Sequence, residues 1–365
     1  MLAPQVSAAT RSKVARSVLS QNLRLRPGER IIVEAWTHTL PWAVTFAREA
    51  RRMGAYPIVP YEDEEAFWDL VGDGKLDVLG AKARHEWAAL AQTNAYVHFW
   101  GPGDRVRLDR MPSEARDRLF AFNMGWYEAA RKAGLRGARM EVGRPYSTLA
   151  RAYGVDLGKW TDQLVQATLV DPNDLQHAAR PIVRALERGR RLRIRSPRGT
   201  DLTLGLAHRP ATASIGRPKA GDPRRPFDFL TNLPAGLVRV ALDESVAEGT
   251  IVANRDCYYD SGRAAGGVFR FRSGKLVSAE FDRGQPFFDR PYRTGGKGRD
   301  RPGLLGIGLN PKLKDTPQVE DLERGAVMVS VGTNTFFGGK NASSFFGFAI
   351  DAGATIEIDG RTIPL

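Results

Sequence analysis

The chain has 365 residues, enough for about two domains with buried cores. Its 42% hydrophobic and 26% charged residues, with 38 Gly and 22 Pro, exclude a disordered or collagen-like chain. Lysine and arginine number 54 against 41 acidic residues, a net charge of +13, which raises nucleic acid, anionic surfaces and acidic substrates as partners.

The elements follow in chain order. Val14, Val18 and Leu19 recur at helical spacing, and Arg11, Lys13, Arg16 and Arg24 break up any apolar core of a secretory leader. Ile31, Ile32 and Val33 read as a buried strand, and residues 41–53 as a helix with Pro41 in its first turn and Gly54 just past its end. The alternation continues as strand 56–61, helix 79–91, strand 95–100, helix 113–133 and strand 138–142. Strands separated by helices favour a parallel sheet covered on both faces, so residues 1–155 are predicted to form a doubly wound α/β domain. A helix over 157–170 and a second opened by Asp171-Pro172-Asn173-Asp174 make a helical connector over 156–190. After Arg190 the pattern changes to short β runs at 192–195, 201–206, 238–242, 250–253, 268–272, 276–281, 327–331, 344–350 and 354–358. Residues 191–365 are predicted to form a β-rich, barrel-like domain.

The densest basic run, Arg184 to Arg198, ends in alternating Leu192 and Ile194, the pattern of a strand with one arginine face. No recognition motif accompanies it, so nucleic acid is not taken as the partner. The single cysteine, Cys257, cannot form an internal disulfide, and no Cys/His cluster has zinc spacing. No run of about 18 apolar residues is present, so no membrane span is expected and a cytoplasmic location is.

The segments Leu192-Arg-Ile-Arg-Ser-Pro-Arg-Gly-Thr-Asp-Leu-Thr-Leu204, Asn232-Leu-Pro-Ala-Gly236, Ala247-Glu-Gly-Thr-Ile251, Leu305-Gly-Ile-Gly-Leu-Asn-Pro311 and Gly338-Gly-Lys-Asn341, with Leu25-Arg-Pro-Gly-Glu-Arg-Ile-Ile-Val33 and Tyr61-Glu-Asp-Glu-Glu65 ahead of them, form an ordered series. This series resembles the aminopeptidase T family of metallopeptidases. The resemblance implies an N-terminal α/β domain, a C-terminal β domain, a homodimer, and two metal ions held by Glu, Glu, His, Tyr, His and Asp. Followed one at a time, the two glutamates fall on Leu237 and Leu304, the first histidine on Met328 and the tyrosine on Thr335 or Phe336. The final His and Asp fall on Phe346 and Phe348. A divalent ion needs carboxylate, phenolate or imidazole donors, and Leu, Met and Phe supply none. Neither metal nor cofactor is therefore expected, and the two-metal hydrolysis should be absent. The related non-haem iron dioxygenases keep a His/His/Asp subset that is missing here too.

A site without those ligands would be an apolar slot with a polar rim, taking a small molecule or peptide, or else a filled core. Binding candidates are Leu237, Leu304, Met328, Phe336, Phe346 and Phe348, the rim residues Asp243, Glu244 and Asn341, and His38 beyond the first strand. Asp256, Tyr258, Tyr259 and Asp260 bring two carboxylates and two phenols within five residues, a set suited to proton transfer if burial raises a carboxyl pKa. The competing reading of that set is a solvated hairpin end. Lys340 could hold a carboxylate or act as a base, or be an exposed turn lysine. Three functions stay open: metal-independent acid/base chemistry on an amide, peptide or peptide-derived molecule; a non-catalytic pseudo-peptidase that binds a peptide or protein; and a relocated metal site using Asp243, Glu244, Asp256 and Asp260.

Overall fold

A computed structural model describes residues 5–74, 76–79, 81, 84–219 and 228–365. Residues 1–4 of the leader reading, and residues 80, 82 and 83 of the helix expected over 79–91, lie outside the described residues. The chain divides into two units, Met1–Leu169 with Gly216–Pro234, and Val170–Ile215 with Ala235–Leu365. Among the described residues no helix is long and apolar enough to cross a membrane.

The first unit is built on a parallel sheet. Strand Arg30–Trp36 lies between Tyr56–Ile58, continued by Tyr61–Glu62, and Ala95–Phe99; Arg136–Met140 and Leu230–Leu233 follow outward. The central strand buries Ile31, Ile32, Val33 and Ala35, the near-continuous apolar run expected where helices cover both faces. Helix Leu40–Arg52 buries Trp42, Phe46 and Ala50 and carries Pro41 in its first turn. Helices Arg84–Ala91 and Ser113–Lys132 pack with Trp87, Leu90, Trp126 and Ala130 against Ile32 and Tyr96. The fifth strand was not among the expected elements. Its four residues, Leu230–Leu233, come from a segment that sequence reasoning assigned to the β-rich part.

The second unit opens with helix Pro172–Arg188, capped by Asp171 through the Asn173 N–H as the sequence predicts. Its 11-stranded sheet centres on Leu237–Val252, a single 16-residue strand where two short ones were expected. A bulge between Leu242 and Ala247 bends that strand. Its first half pairs with Pro302–Gly308 and Thr212–Ser214, its second with Asp201–Leu206 and Val268–Arg272. A bulge adds bend and twist, so one strand serves two differently directed parts of the sheet. The sheet path ends on Phe346–Ala352 and Arg361–Ile363. The expected barrel-like part is thus a bent open sheet and not a closed barrel. The arginine-faced strand is Arg191–Arg195, with Leu192 and Ile194 inward. Two of its arginines already have partners: Arg193 pairs with Asp201 at 2.7 Å and Arg195 pairs with Glu357.

Candidate functional site

Four adjacent antiparallel strands of the second unit share one face. The register sets Arg239 beside Gly306, Gly306 beside Met328 and Met328 beside Ile350. By the two-residue period of a strand, Leu237, Leu304 and Phe348 face the same side. Leu304, Met328 and Ile350 form one buried cluster with Ala241, Ala326 and Ala352, and Phe337 and Phe348 pack against it. Leu237 and Leu304 are 1% and 2% exposed and Met328 is 2% exposed. Gly306 makes room for this packing, because a Cβ there would stand 2.8 Å from Met328 Cε and 3.5 Å from Leu237 Cδ1. These side chains offer no oxygen or nitrogen donor, and the cluster does not fit a divalent ion. Phe346 and Phe336 are exposed at its outer end, and Phe346 lies 5.9 Å from Phe348, ring to ring.

Two charged groups border the cluster that sequence reasoning missed. Arg239 donates to Asp321 at 2.9 Å, lies 5.7 Å from the Phe337 ring, and keeps a buried Nε with no acceptor among the described residues. Strand alternation from Leu237 was the available signal for it. Glu320, in the short helix Glu320–Leu322, is 4% exposed. Its Oε1 accepts a long bond of 3.5 Å from the Tyr258 N–H, and its Oε2 has no partner among the described residues. Burial, and then the charges of Asp321 and Asp315, push its carboxyl well above the usual range. Nothing in its local sequence marks it, since burial is a tertiary property.

The Asp256 to Asp260 set lies on a two-stranded ribbon, Cys257–Tyr259 with Gly262–Ala264. The chain just before the ribbon bonds to the edge strand through the Asn254 N–H and Ile350 C=O, and Cys257 Sγ donates to Phe348 C=O at 3.2 Å. Asp256 accepts from Arg263 at 2.9 Å. Tyr259 stacks on Phe287 at 5.6 Å. Burial first, and nearby carboxylates after it, push the Tyr258 phenol above its ordinary value, while burial followed by Cys257 and Glu320 does the same for Tyr259. Burial also raises the Cys257 thiol, so it is no ready nucleophile. Asp260 is half-buried.

Glu244, Lys340 and Asn341 meet elsewhere, in a network that holds the Gly-Gly-Lys-Asn loop. Glu244 receives both ends of the Arg209 guanidinium at 2.8 and 2.6 Å, the Asn334 amide at 2.9 Å and the Lys340 main-chain N–H at 2.8 Å. Burial works against ionisation, yet these bonds bring its carboxyl down to about 2. Asn341 donates both amide hydrogens to main-chain carbonyls of Gly298 and Gly332, each at 2.7 Å. The Lys340 side chain is exposed. Asp243 turns the bulge by accepting from the Ser245 N–H and hydroxyl. His38, in the first unit, follows the central parallel strand and bonds Gly143 C=O at 3.0 Å. Burial lowers its pKa, against the Gly143 and Trp100 carbonyls and the Glu64 charge. Among the described residues no group of three or more His, Cys, Asp or Glu is placed to hold a metal ion.

Chemically, this arrangement offers an apolar floor, the Arg239 guanidinium paired with Asp321, and a buried carboxyl at Glu320 whose pKa is raised. The three-dimensional comparisons agree on the fold. Wild-type AmpT from Thermus thermophilus superposes with a TM-score of 0.69 at 21% identity, over 98% of this chain and 97% of that one. The 2,5-dihydroxypyridine dioxygenase of Pseudomonas putida KT2440 superposes with a TM-score of 0.61 at 16% identity, over 99% of this chain and 97% of that one. No curated protein sequence matches the chain. The thermophilic metalloprotease (M29) family matches residues 8–295, and the chain belongs to that family.

Proposed function

We propose that this M29 member works without metal and that its C-terminal unit holds a peptide or peptide-derived ligand without two-metal hydrolysis. The observation that carries the reading is the packing of Leu237, Leu304 and Met328, at most 2% exposed, at three positions where the family resemblance puts ligands. Water activation by two ions needs oxygen or nitrogen donors, and these packed side chains supply none. Arg239, whose side chain is partly exposed beside the apolar cluster, would take a ligand carboxylate. The fold itself does not fix the reaction, as the dioxygenase among its structural neighbours illustrates.

The test is a panel of amino-acyl amides and short peptides, assayed for hydrolysis with and without zinc, cobalt or manganese, beside equilibrium binding of the same peptides. The reading expects binding without turnover, and expects Arg239→Gln and Lys340→Ala to weaken capture. Metal-stimulated hydrolysis would overturn it.

One observation favours a second reading, metal-independent acid/base catalysis. Glu320 is a buried carboxyl with a raised pKa whose Oε2 has no partner among the described residues, next to the Tyr258 segment. Metal-free turnover lost in Glu320→Gln, Tyr258→Phe and Asp256→Asn, with binding retained, would establish it. Turnover unchanged in all three would reject it. A homodimer and a reducing, cytoplasmic setting complete the proposal. The resemblance supports the dimer, which a monomer mass in solution would refute, and the buried, unpaired Cys257 suits the compartment.

A further inference from the structure

The parallel sheet of the first unit carries a row of polar side chains that none of the readings above uses. Numbered along the chain, with Tyr56–Ile58 and Tyr61–Glu62 taken as one interrupted strand, its strands run in the order second, first, third, fourth, fifth. In a sheet of this order the connections leave the first and third strands in opposite directions. Ligands bind in the crevice beyond the carboxyl ends of those strands.

The register sets Glu34 beside His98, His98 beside Arg139 and Arg139 beside Asn232. Partners in a parallel register share a face, so the four side chains stand in one row. Two residues earlier on the same face, Ile32, Tyr96 and Leu230 are covered by helices Arg84–Ala91 and Ser113–Lys132. The polar row begins where that apolar cover ends. It is partly open: the Glu34 and His98 side chains are 26% and 24% exposed, Arg139 is half-buried and Asn232 is exposed.

The two ends of the row carry opposite, unbalanced charge. Glu34 meets His98 Nδ1 at 3.2 Å and accepts from the Tyr96 hydroxyl. Glu62 and Glu86 crowd the same end. Burial, then the charges of Glu34 and Glu62, raises Glu86 to about 7, the response of a carboxyl that lacks a cation. At the other end the Arg139 guanidinium lies 5.0 Å from the Tyr127 ring and 5.6 Å from the Trp100 ring. Among the described residues the Arg139 guanidinium donates no hydrogen bond and forms no ion pair. The neighbouring Glu141 forms its ion pair with Arg144 and acts on Arg139 through its charge without an ion-pair contact, so of the two cations Arg139 is the one without a direct carboxylate partner. A guanidinium held on aromatic faces with open N–H groups recognises a carboxylate.

Glu34 and Arg139 stand two strands apart, roughly 10 Å between their Cα atoms. Their side chains can therefore reach the two ends of one small molecule lying over His98. We infer that this row binds a free amino acid or dipeptide as its zwitterion, the α-ammonium at Glu34 and the α-carboxylate at Arg139.

The experiment uses the full chain and calorimetric titration of L-leucine, leucylglycine, N-acetyl-leucine and leucinamide. One of the two zwitterions should bind, and both blocked forms should bind at least about tenfold more weakly. Which zwitterion binds better sets the length of the ligand. Arg139→Gln should lose the discrimination against leucinamide, and Glu34→Gln the discrimination against N-acetyl-leucine. Absence of binding by both zwitterions at about 10 mM, or equal binding of blocked and free forms, overturns the proposal. That comparison is made on the unaltered protein, so it decides the matter even where a variant fails to fold.

Discussion

Each unit places side chains from four adjacent strands in one register row, and the rows could hardly differ more. In the C-terminal unit the row reads Arg239, Gly306, Met328, Ile350 and lies in a packed apolar cluster. In the N-terminal unit it reads Glu34, His98, Arg139, Asn232, and is half open with opposite charges at Glu34 and Arg139. A packed row contributes stability through burial and offers little chemistry, whereas an unbalanced polar row costs stability and is kept where a ligand completes it.

Substitutions can break or sharpen that contrast. The largest effect belongs to the packed row: Leu304→Ala should destabilise by about 3 kcal/mol in denaturant unfolding, from lost burial plus the cavity left behind. A cost under about 1 kcal/mol would mean the cluster is loose and the contrast overdrawn. Glu244→Gln comes next, at about 2 kcal/mol, since it removes the charge that Arg209, only 11% exposed, is bonded to. The same group sets an acid limit. Its folded pKa of about 2 lies below its ordinary 4.5, so its contribution is present above pH 4.5 and is lost as pH falls through about 2. In the variant, the acid unfolding profile should flatten over that window.

The polar row predicts the opposite sign. Glu86 has its pKa raised from 4.5 to about 7, so the stability linked to its protonated form is complete below pH 4.5 and lost as pH rises through 7. Glu86→Gln should therefore stabilise at pH 8, by about 1 kcal/mol after solvent screening, and gain almost nothing at pH 4. Thermal melts at the two pH values read the difference. Lys340→Ala should change stability by less than about 0.5 kcal/mol, because only its main-chain N–H enters the Glu244 network. Any loss of peptide capture in that variant then reports binding and not folding.

Much of the fold was legible because it rests on local signals. The Ile31 to Val33 run, Pro41 at a helix start and the Asp171 cap each have a short-range physical cause, and each is found in the structure. Asp63, which accepts from the Glu65 and Ala66 N–H groups to cap helix Glu64–Gly72, gave an equally local signal that was passed over. Strand Leu230–Leu233 was hidden because its partner, Arg136–Met140, is about 90 residues away in the chain and four residues carry no period of their own. The candidate site was legible as a set of apolar positions and illegible as a charged border. Arg239 could have been placed by strand alternation. Glu320 could not, since its raised pKa depends on elements that sequence alone does not bring together.

The central claim is that the packed face of the C-terminal unit holds no metal, and the direct measurement is elemental analysis of untagged protein dialysed after exposure to excess zinc, cobalt and manganese. The account predicts less than about 0.1 ion per chain for each. One or two ions retained per chain, and lost in a Met328 or Glu320 variant, would contradict it and return hydrolysis to the front.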